Sequence, residues 1–345
     1  MHRLLICKKK QNNFAMKDYL QNTNIRWGII GCGAVTEVKS GPAFQKIDGF
    51  TLQAVMRRDA AKCADYARRH AVPKYYTNAD DLIADPDIDA IYIATPPDSH
   101  KLYALKVAQA GKIVCVEKPL APSYEDSLEI VTAFQEKNIP LFVAYYRRSL
   151  DRFTQIKEWI EEGKIGAVRN ISWTLTKPAS EIDMSQLYNW RTDAKLARGG
   201  YFDDLASHGL DLFAYLLGNF KWVSGTTQNQ KKLYSASDAV VACWIHDSGC
   251  TGTGTWNFVA QKRLDEVILL GENGTITFSV FDENPIVLNS DLENISKTIA
   301  HPENVQLQHV HNMQKHLSGN MEHPSTGASA LHTSWVMEQI LAHKE

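Results

Sequence analysis

No stretch of the 345-residue chain stays apolar for the roughly 20 residues that a membrane-crossing helix needs, which excludes a helical bilayer-spanning protein. Charge of one sign is equally scarce. With 37 Lys and Arg against 39 Asp and Glu, the net charge is -2 and the pI about 6.6, so no whole-molecule field recruits nucleic acid or a membrane surface. The six cysteines include no C-x-x-C pair, which argues against a disulfide framework and for reduced thiols in a reducing compartment. Repeats and low-complexity tracts are missing as well. The first residues place Leu4, Leu5 and Ile6 before Lys8, Lys9 and Lys10, the reverse of a secretory signal. A cytoplasmic protein is therefore expected, with residues 1–24 as a flexible extension and Met16 as an alternative natural start.

What is present is an alternation of short apolar runs and helical stretches across residues 25–146. The run Ile25–Ile30 leads at once into Gly31-Cys32-Gly33-Ala34-Val35-Thr36 and then a helix. That order of strand, glycine turn and helix is what a dinucleotide site requires. Gly31 permits the tight turn, Gly33 lets backbone approach a pyrophosphate, and free N–H groups at Ala34 and Val35 face the anion. A glycine turn without a ligand is the competing reading. The second strand, Phe50–Met56, ends in Arg57 and Arg58, 24 and 25 residues beyond Gly33. An acidic residue there would read a ribose 2′-hydroxyl, whereas two guanidiniums suit a 2′-phosphate, so NADP is the preferred cofactor with NAD possible. Asp59 is expected to cap the following helix, and a merely solvated Arg-Arg turn is the alternative.

Further along, residues 90–94 form a buried strand that ends in Thr95, Pro96 and Pro97. Residues 112–116 form another, ending in Glu117-Lys118-Pro119, and residues 141–145 a last one. Such alternation predicts a parallel, doubly wound sheet. Residues 147–345 change character. A helix over 153–162 precedes strands at 168–175, 222–227, 239–246, 252–258, 266–270 and 275–280, which predicts a mostly antiparallel sheet with one open face. Residues 289–324 read as loops and a short helix whose His301, His309, His311 and His316 are solvated, and residues 326–343 as a terminal helix packing back on one of the domains.

The chemistry concentrates in a helix over residues 203–217, where Asp204, His208 and Asp211 fall on one face. Two carboxylates flanking an imidazole are expected to raise its pKa and fix its orientation, as a general acid/base requires. A structural histidine is the plain alternative. A metal held by these three residues is not favoured, because no further ligands stand at a suitable spacing.

The glycine turn at Gly31, Glu117-Lys118-Pro119, the G-G-x-x-x-D-x-x-x-H-x-x-D stretch from Gly199 to Asp211, Tyr146-Arg147-Arg148 and Asn189-Trp190-Arg191 together resemble the Gfo/Idh/MocA family. The likeness covers roughly residues 25–340. It implies an α/β fold with an N-terminal Rossmann doubly wound parallel sheet and a C-terminal α+β domain. The open, mostly antiparallel sheet of that second domain often forms a subunit interface, so a homodimer or homotetramer is expected. It also implies an NAD(P)-dependent oxidoreductase that moves a hydride to or from a secondary alcohol or ketone of a sugar, polyol or similar small molecule. On this resemblance Lys118 lies beside substrate and nicotinamide, and Asp204 and His208 form the acid/base pair opposite. Thr95, Pro96 and Glu117 line the nicotinamide side, and Arg148, Trp190 and Arg191 are further candidates for cofactor contact. Either Lys118 or His208 serves as proton donor. Thr36, Pro97 and Ala206 depart from the family's usual residues. Redox-neutral elimination or hydrolysis of a sugar, and a non-catalytic cofactor-binding sensor, remain as alternatives.

Overall fold

The computed structural model describes residues 24–342 apart from residue 186. All but one residue of the expected N-terminal extension, with Met16 in it, falls outside them. Ten helices can be named among the described residues: α1 (Ala34–Val38), α2 (Ala60–Arg69), α3 (Ala79–Ala84), α4 (His100–Gln109), α5 (Tyr124–Glu136), α6 (Asp151–Glu161), α7 (Glu181–Ser185), α8 (Tyr201–Leu217), α9 (Leu307–Leu317) and α10 (Gly327–Leu341).

Six strands make the first sheet: β1 (Ile25–Ile30), β2 (Phe50–Met56), β3 (Lys74–Tyr76), β4 (Ala90–Ile93), β5 (Ile113–Val116) and β6 (Leu141–Val143). Their order is β3-β2-β1-β4-β5-β6 and every pairing is parallel. β4 and β5 are buried at all four positions, as strands covered on both faces must be. Strand order reverses between β1 and β4, which opens a crevice at their carboxyl ends. β3 was not anticipated, because its three partly exposed residues at the sheet edge carry no apolar run.

The second sheet holds eight strands: β7 (Val168–Thr176), β8 (Phe220–Gln228), β9 (Ala239–His246), β10 (Thr251–Asn257), β11 (Leu264–Gly271), β12 (Gly274–Phe278), β13 (Ile286–Ser290) and β14 (Asn294–Lys297). They run in the order β14-β13-β12-β11-β7-β10-β9-β8, and only β7–β10 is parallel. Burial alternates along β9 and β10, so one face packs on helices α6 and α8 while the other presents Trp222, Val241, Ile245 and Leu270. The short helix expected within residues 289–324 is present as α9, but the end of β13 and all of β14 also use this stretch, and His309, expected to be solvated, is buried against Cys115, with His323 buried beside it against Phe142. Apolar residues such as Val310, Met313 and Leu317 are spaced to bury one face of α9, which polar composition disguised.

α10 lies across both parts of the molecule. It begins beside β6 through a Phe142–Thr326 bridge, meets α5 through a Ser127–Ser334 hydroxyl contact of 3.0 Å, and reaches Asp211 of α8 through Thr333. α8 sits on its sheet unusually closely, because Gly209 leaves room for the Trp173 ring. A Cβ at residue 209 would lie 2.3 Å from Trp173 Cζ3. Gly209→Ala therefore sets a gain in helix propensity of about 1 kcal/mol against an overpacking cost of about 1–3 kcal/mol. A net loss of stability in urea unfolding is expected, and an unchanged or raised midpoint would contradict this packing.

Candidate active site

Gly31 follows β1 with φ of +94°, and a Cβ there would lie 2.8 Å from Thr95 Cγ2 and 3.0 Å from the Ala94 carbonyl, so only glycine fits the turn. Gly33 differs. A Cβ there would meet nothing nearer than Gly31 O at 3.8 Å, so the backbone faces open space across the crevice. No side chain caps α1, which leaves the N–H groups of its first residues, Ala34 and Val35, without side-chain acceptors. Thr36 is buried, donating its hydroxyl to Gly33 O at 2.9 Å, while its own carbonyl accepts the Tyr66 hydroxyl at 2.8 Å. The larger residue at this position is thus accommodated by a hydrogen-bonded seat. This glycine cradle fits a dinucleotide.

Arg57 is half-buried and donates to Cys32 O at 3.3 Å, Arg58 is exposed, and Asp59 accepts the Lys62 N–H at 3.1 Å to cap α2. Both guanidiniums therefore stand at the end of β2 with no acid from Asp59 directed between them. At the end of β4, His100 is fully buried with Nε2 at 2.8 Å from Thr95 O and Nδ1 at 3.0 Å from Pro119 O. It holds the Thr95-Pro96-Pro97 loop against the loop that carries Lys118. Glu117 is also buried. Its Oε1 accepts the Tyr92 hydroxyl at 2.5 Å and Gln306 Nε2 at 2.7 Å, and its Oε2 accepts the Lys118 N–H at 3.1 Å. Glu117 thus positions the backbone at Lys118 and ties it to a residue 189 positions away.

Lys118, freed from helix by Pro119, crosses to α8. Its Nζ donates to Asp204 Oδ1 at 2.6 Å and to Asp204 O at 3.0 Å, and Arg191 Nε donates to the other carboxylate oxygen at 2.6 Å. Burial alone would raise the Asp204 carboxyl, but the two cations outweigh it and hold the group well below the usual carboxylate range. The guanidinium of Arg191 in turn lies 4.5 Å over the Trp190 ring. Beside this cluster a cavity of about 310 Å³ opens between Pro97, Pro119, Tyr145, Trp190, Asp204 and Met337.

His208 lies one turn beyond Asp204, but neither flanking carboxylate reaches it, which corrects the expectation of an imidazole with a raised pKa. Asp204 is engaged by Lys118 and Arg191. Asp211 is buried under Arg148, with Nε at 2.7 Å and Nη2 at 2.8 Å from its two oxygens, and also accepts the Thr333 hydroxyl. His208 instead meets the rings of Tyr145, Tyr146 and Phe281 edge-on, and its Nδ1 is buried without a hydrogen-bond partner. Burial, then the charges of Lys118, Arg147 and Lys39, push its pKa well below the ordinary imidazole value, so the ring is neutral at neutral pH. Arg148 also needs correction as a candidate cofactor contact. Its nitrogens are spent on Asp211 and on Pro324 O, so it fastens the junction of α8 and α10. Among the described residues no three His, Cys, Asp or Glu side chains gather as a metal site.

A parallel doubly wound sheet with a glycine cradle at its switch point, and a strand-end lysine clamped to an acid of a second domain, define a nicotinamide-dependent oxidoreductase. The chain belongs to the Gfo/Idh/MocA family: residues 25–145 match the oxidoreductase family with an NAD-binding Rossmann fold, and residues 153–277 match the GFO/IDH/MocA C-terminal domain. It is similar to an oxidoreductase of Formosa agariphila, 36% identical over 320 residues that cover 92% of this chain and 98% of the relative. A levoglucosan dehydrogenase of Pseudarthrobacter phenanthrenivorans is 31% identical over 234 residues, 66% of this chain and 55% of that protein. Its fold is shared with the WlbA dehydrogenase from Bordetella pertussis in complex with NADH and UDP-GlcNAcA, at a TM-score of 0.79, 24% identity and coverage of 92% and 95%. A levoglucosan dehydrogenase in complex with NADH and levoglucosan has a TM-score of 0.80 at 22% identity, with coverage of 92% and 96%.

Sequence reasoning did not single out Asp203. Its Oδ2 accepts the Gly199 N–H at 3.0 Å, while its Oδ1 is buried without a partner. Burial pushes its carboxyl up to about 7, with the Asp204 charge adding to the effect and Gly199 N–H and Arg198 opposing it. An unfolded carboxyl ionises near pH 4, so between about pH 4 and 7 the folded chain holds a proton that the unfolded chain releases. The stability contributed by this raised pKa is full below that window and is lost as pH rises through about 7. Asp203→Asn, which keeps the acceptor for Gly199, is expected to raise Tm more at about pH 8 than at about pH 4. Equal shifts at both pH values would overturn this assignment.

Proposed function

We propose that the protein transfers a hydride between NADP(H) and a secondary alcohol or ketone of a sugar or polyol. The observation that carries this reading is Lys118: it leaves the nucleotide-binding sheet and is clamped by Asp204, one helical turn from a neutral, unpartnered His208. The bound cofactor supplies or accepts the hydride. An ammonium has three N–H donors, and Lys118 spends two on Asp204, so the third remains for the substrate oxygen. Placed there, Lys118 stabilises negative charge developing on that oxygen. His208, neutral because it is buried among cations, takes the hydroxyl proton on its imidazole during oxidation and returns it during reduction. Asp204 stays ionised and orients Lys118 rather than His208. The sugar-like substrate class is supported by the names of the relatives, levoglucosan dehydrogenase and 1,5-anhydro-D-fructose reductase.

The preference for NADP rests on Arg57 and Arg58, which offer a 2′-phosphate charge-assisted hydrogen bonds worth about 1.5–3 kcal/mol each. Association of copies through the open face of the second sheet is supported by Trp222, 50% exposed, and Val241, 51% exposed, on the same uncovered side as Ile245 and Leu270. A reducing, cytoplasmic setting is supported by Cys32 and Cys63, whose sulfurs lie 3.9 Å apart without a bond.

Replacing Lys118 by Ala is expected to reduce kcat by roughly 10²–10⁴-fold while cofactor affinity changes little. Near-normal turnover in a nicotinamide absorbance assay would remove Lys118 from the reaction. Exchanging Arg57 and Arg58 for Ser is expected to weaken NADPH by about 10-fold or more and NADH much less. Equal losses for the two cofactors, measured by fluorescence titration, would contradict the 2′-phosphate role.

A further inference from the structure

Four of the buried polar atoms without any partner belong to residues that act on one another electrostatically: His208 Nδ1, Arg147 Nη1, Arg152 Nε and His301 Nε2. Each lies within electrostatic reach of the next, since Arg147 perturbs His208, Arg147 perturbs Arg152, and both arginines perturb His301. Arg147 is 4% exposed and Arg152 2% exposed. Neither forms an ion pair with a carboxylate among the described residues, unlike Arg148 with its Asp211. Their bonded nitrogens reach only main-chain carbonyls: Val280 at 3.0 Å for Arg147, and Asp282 at 2.8 Å and Asn284 at 3.0 Å for Arg152. Burying a guanidinium without a directly paired carboxylate is costly, and two such groups near each other repel.

A cavity of about 130 Å³ opens against this group, lined by Asp151, Arg152, His301 and Gln308. It sits at the start of α6, an 11-residue helix whose N-cap, Leu150, supplies no side-chain hydrogen bond. The free N–H groups and the positive end of the helix dipole therefore face the same space as the unpartnered Arg152. Four acids lie around this charge: Glu283, Asp265 and Asp282 act on Arg152, and Asp151 lines the cavity. Asp265 is buried but its oxygens accept from Trp173 Nε1 and from the Phe281 and Asp282 N–H groups, and Asp282 pairs with Arg263. Glu283 lies 3.6 Å from His301 Nδ1 but is 53% exposed, and Asp151 is exposed as well, so water screens these two far more than it screens the arginines. The Arg147 guanidinium lies 4.5 Å from the Phe281 ring and 5.0 Å from the Tyr146 ring.

We propose that Arg152 and His301, with the open end of α6, bind a small oxyanion of the phosphate or carboxylate class. The site does not depend on turnover. The cavity of about 130 Å³ has room for such a group.

Calorimetric titration of the full-length protein with inorganic phosphate tests the site directly. Saturable binding is expected, weakened about 10-fold or more by Arg152→Gln and also by His301→Gln. The second variant lies at the cavity edge and keeps the test valid if the first does not fold. No saturable binding, or equal binding by wild type and the folded variants, would overturn the proposal.

Discussion

The ion pair between Lys118 and Asp204 is the constraint on which the rest of the site depends. Its two side chains are only 11% and 15% exposed, so each would be a costly buried charge without the other. One partner ends a strand of the nucleotide-binding sheet and the other begins the central helix of the second domain. In the proposed reaction their contact fixes where substrate and cofactor meet. Arg191 on the far oxygen of Asp204 and Glu117 beneath the Lys118 backbone complete a supported clamp, and the Arg148–Asp211 pair fastens the same helix one turn beyond His208.

Charge explains why His208 differs from a conventional carboxylate-tuned imidazole. Lys118, Arg147 and Lys39 all act on it, and the nearby acids are already spent on arginines and lysine. A neutral ring among cations is prepared to accept a proton rather than to hold one. Arg147, which acts on His208, also acts on Arg152 beside the proposed anion pocket.

Much of this was legible in the sequence, for physical reasons. Apolar runs of strand length with glycine or proline punctuation define the first sheet, because a parallel strand buried on both faces has few other ways to be written. Asp204 and His208 were found by helical spacing, and Lys118 by its place between a strand and a proline. Spacing did not show which groups those side chains would meet. Asp211 was read as a neighbour of His208, but its partner, Arg148, comes from a 3₁₀ turn 63 residues earlier. Gln306, which completes the Glu117 network, and His309, which fills the core beside Cys115, lie in a stretch whose polar composition suggested loops and a short helix at the surface. These long-range polar contacts leave no local signal, because a buried glutamine and an exposed one read alike in the chain. Thr36 looked like a departure from a small residue and proved to have its own hydrogen-bonded seat.

A double-mutant cycle on kcat/KM with Lys118→Met and Asp204→Asn tests the central claim most directly, since it measures the coupling between the two domains at the reacting centre. If Asp204 acts by holding Lys118, the double variant should be no more impaired than the worse single variant. Losses that simply multiply would show that the two side chains act independently and would contradict the clamp as the organising feature of the site.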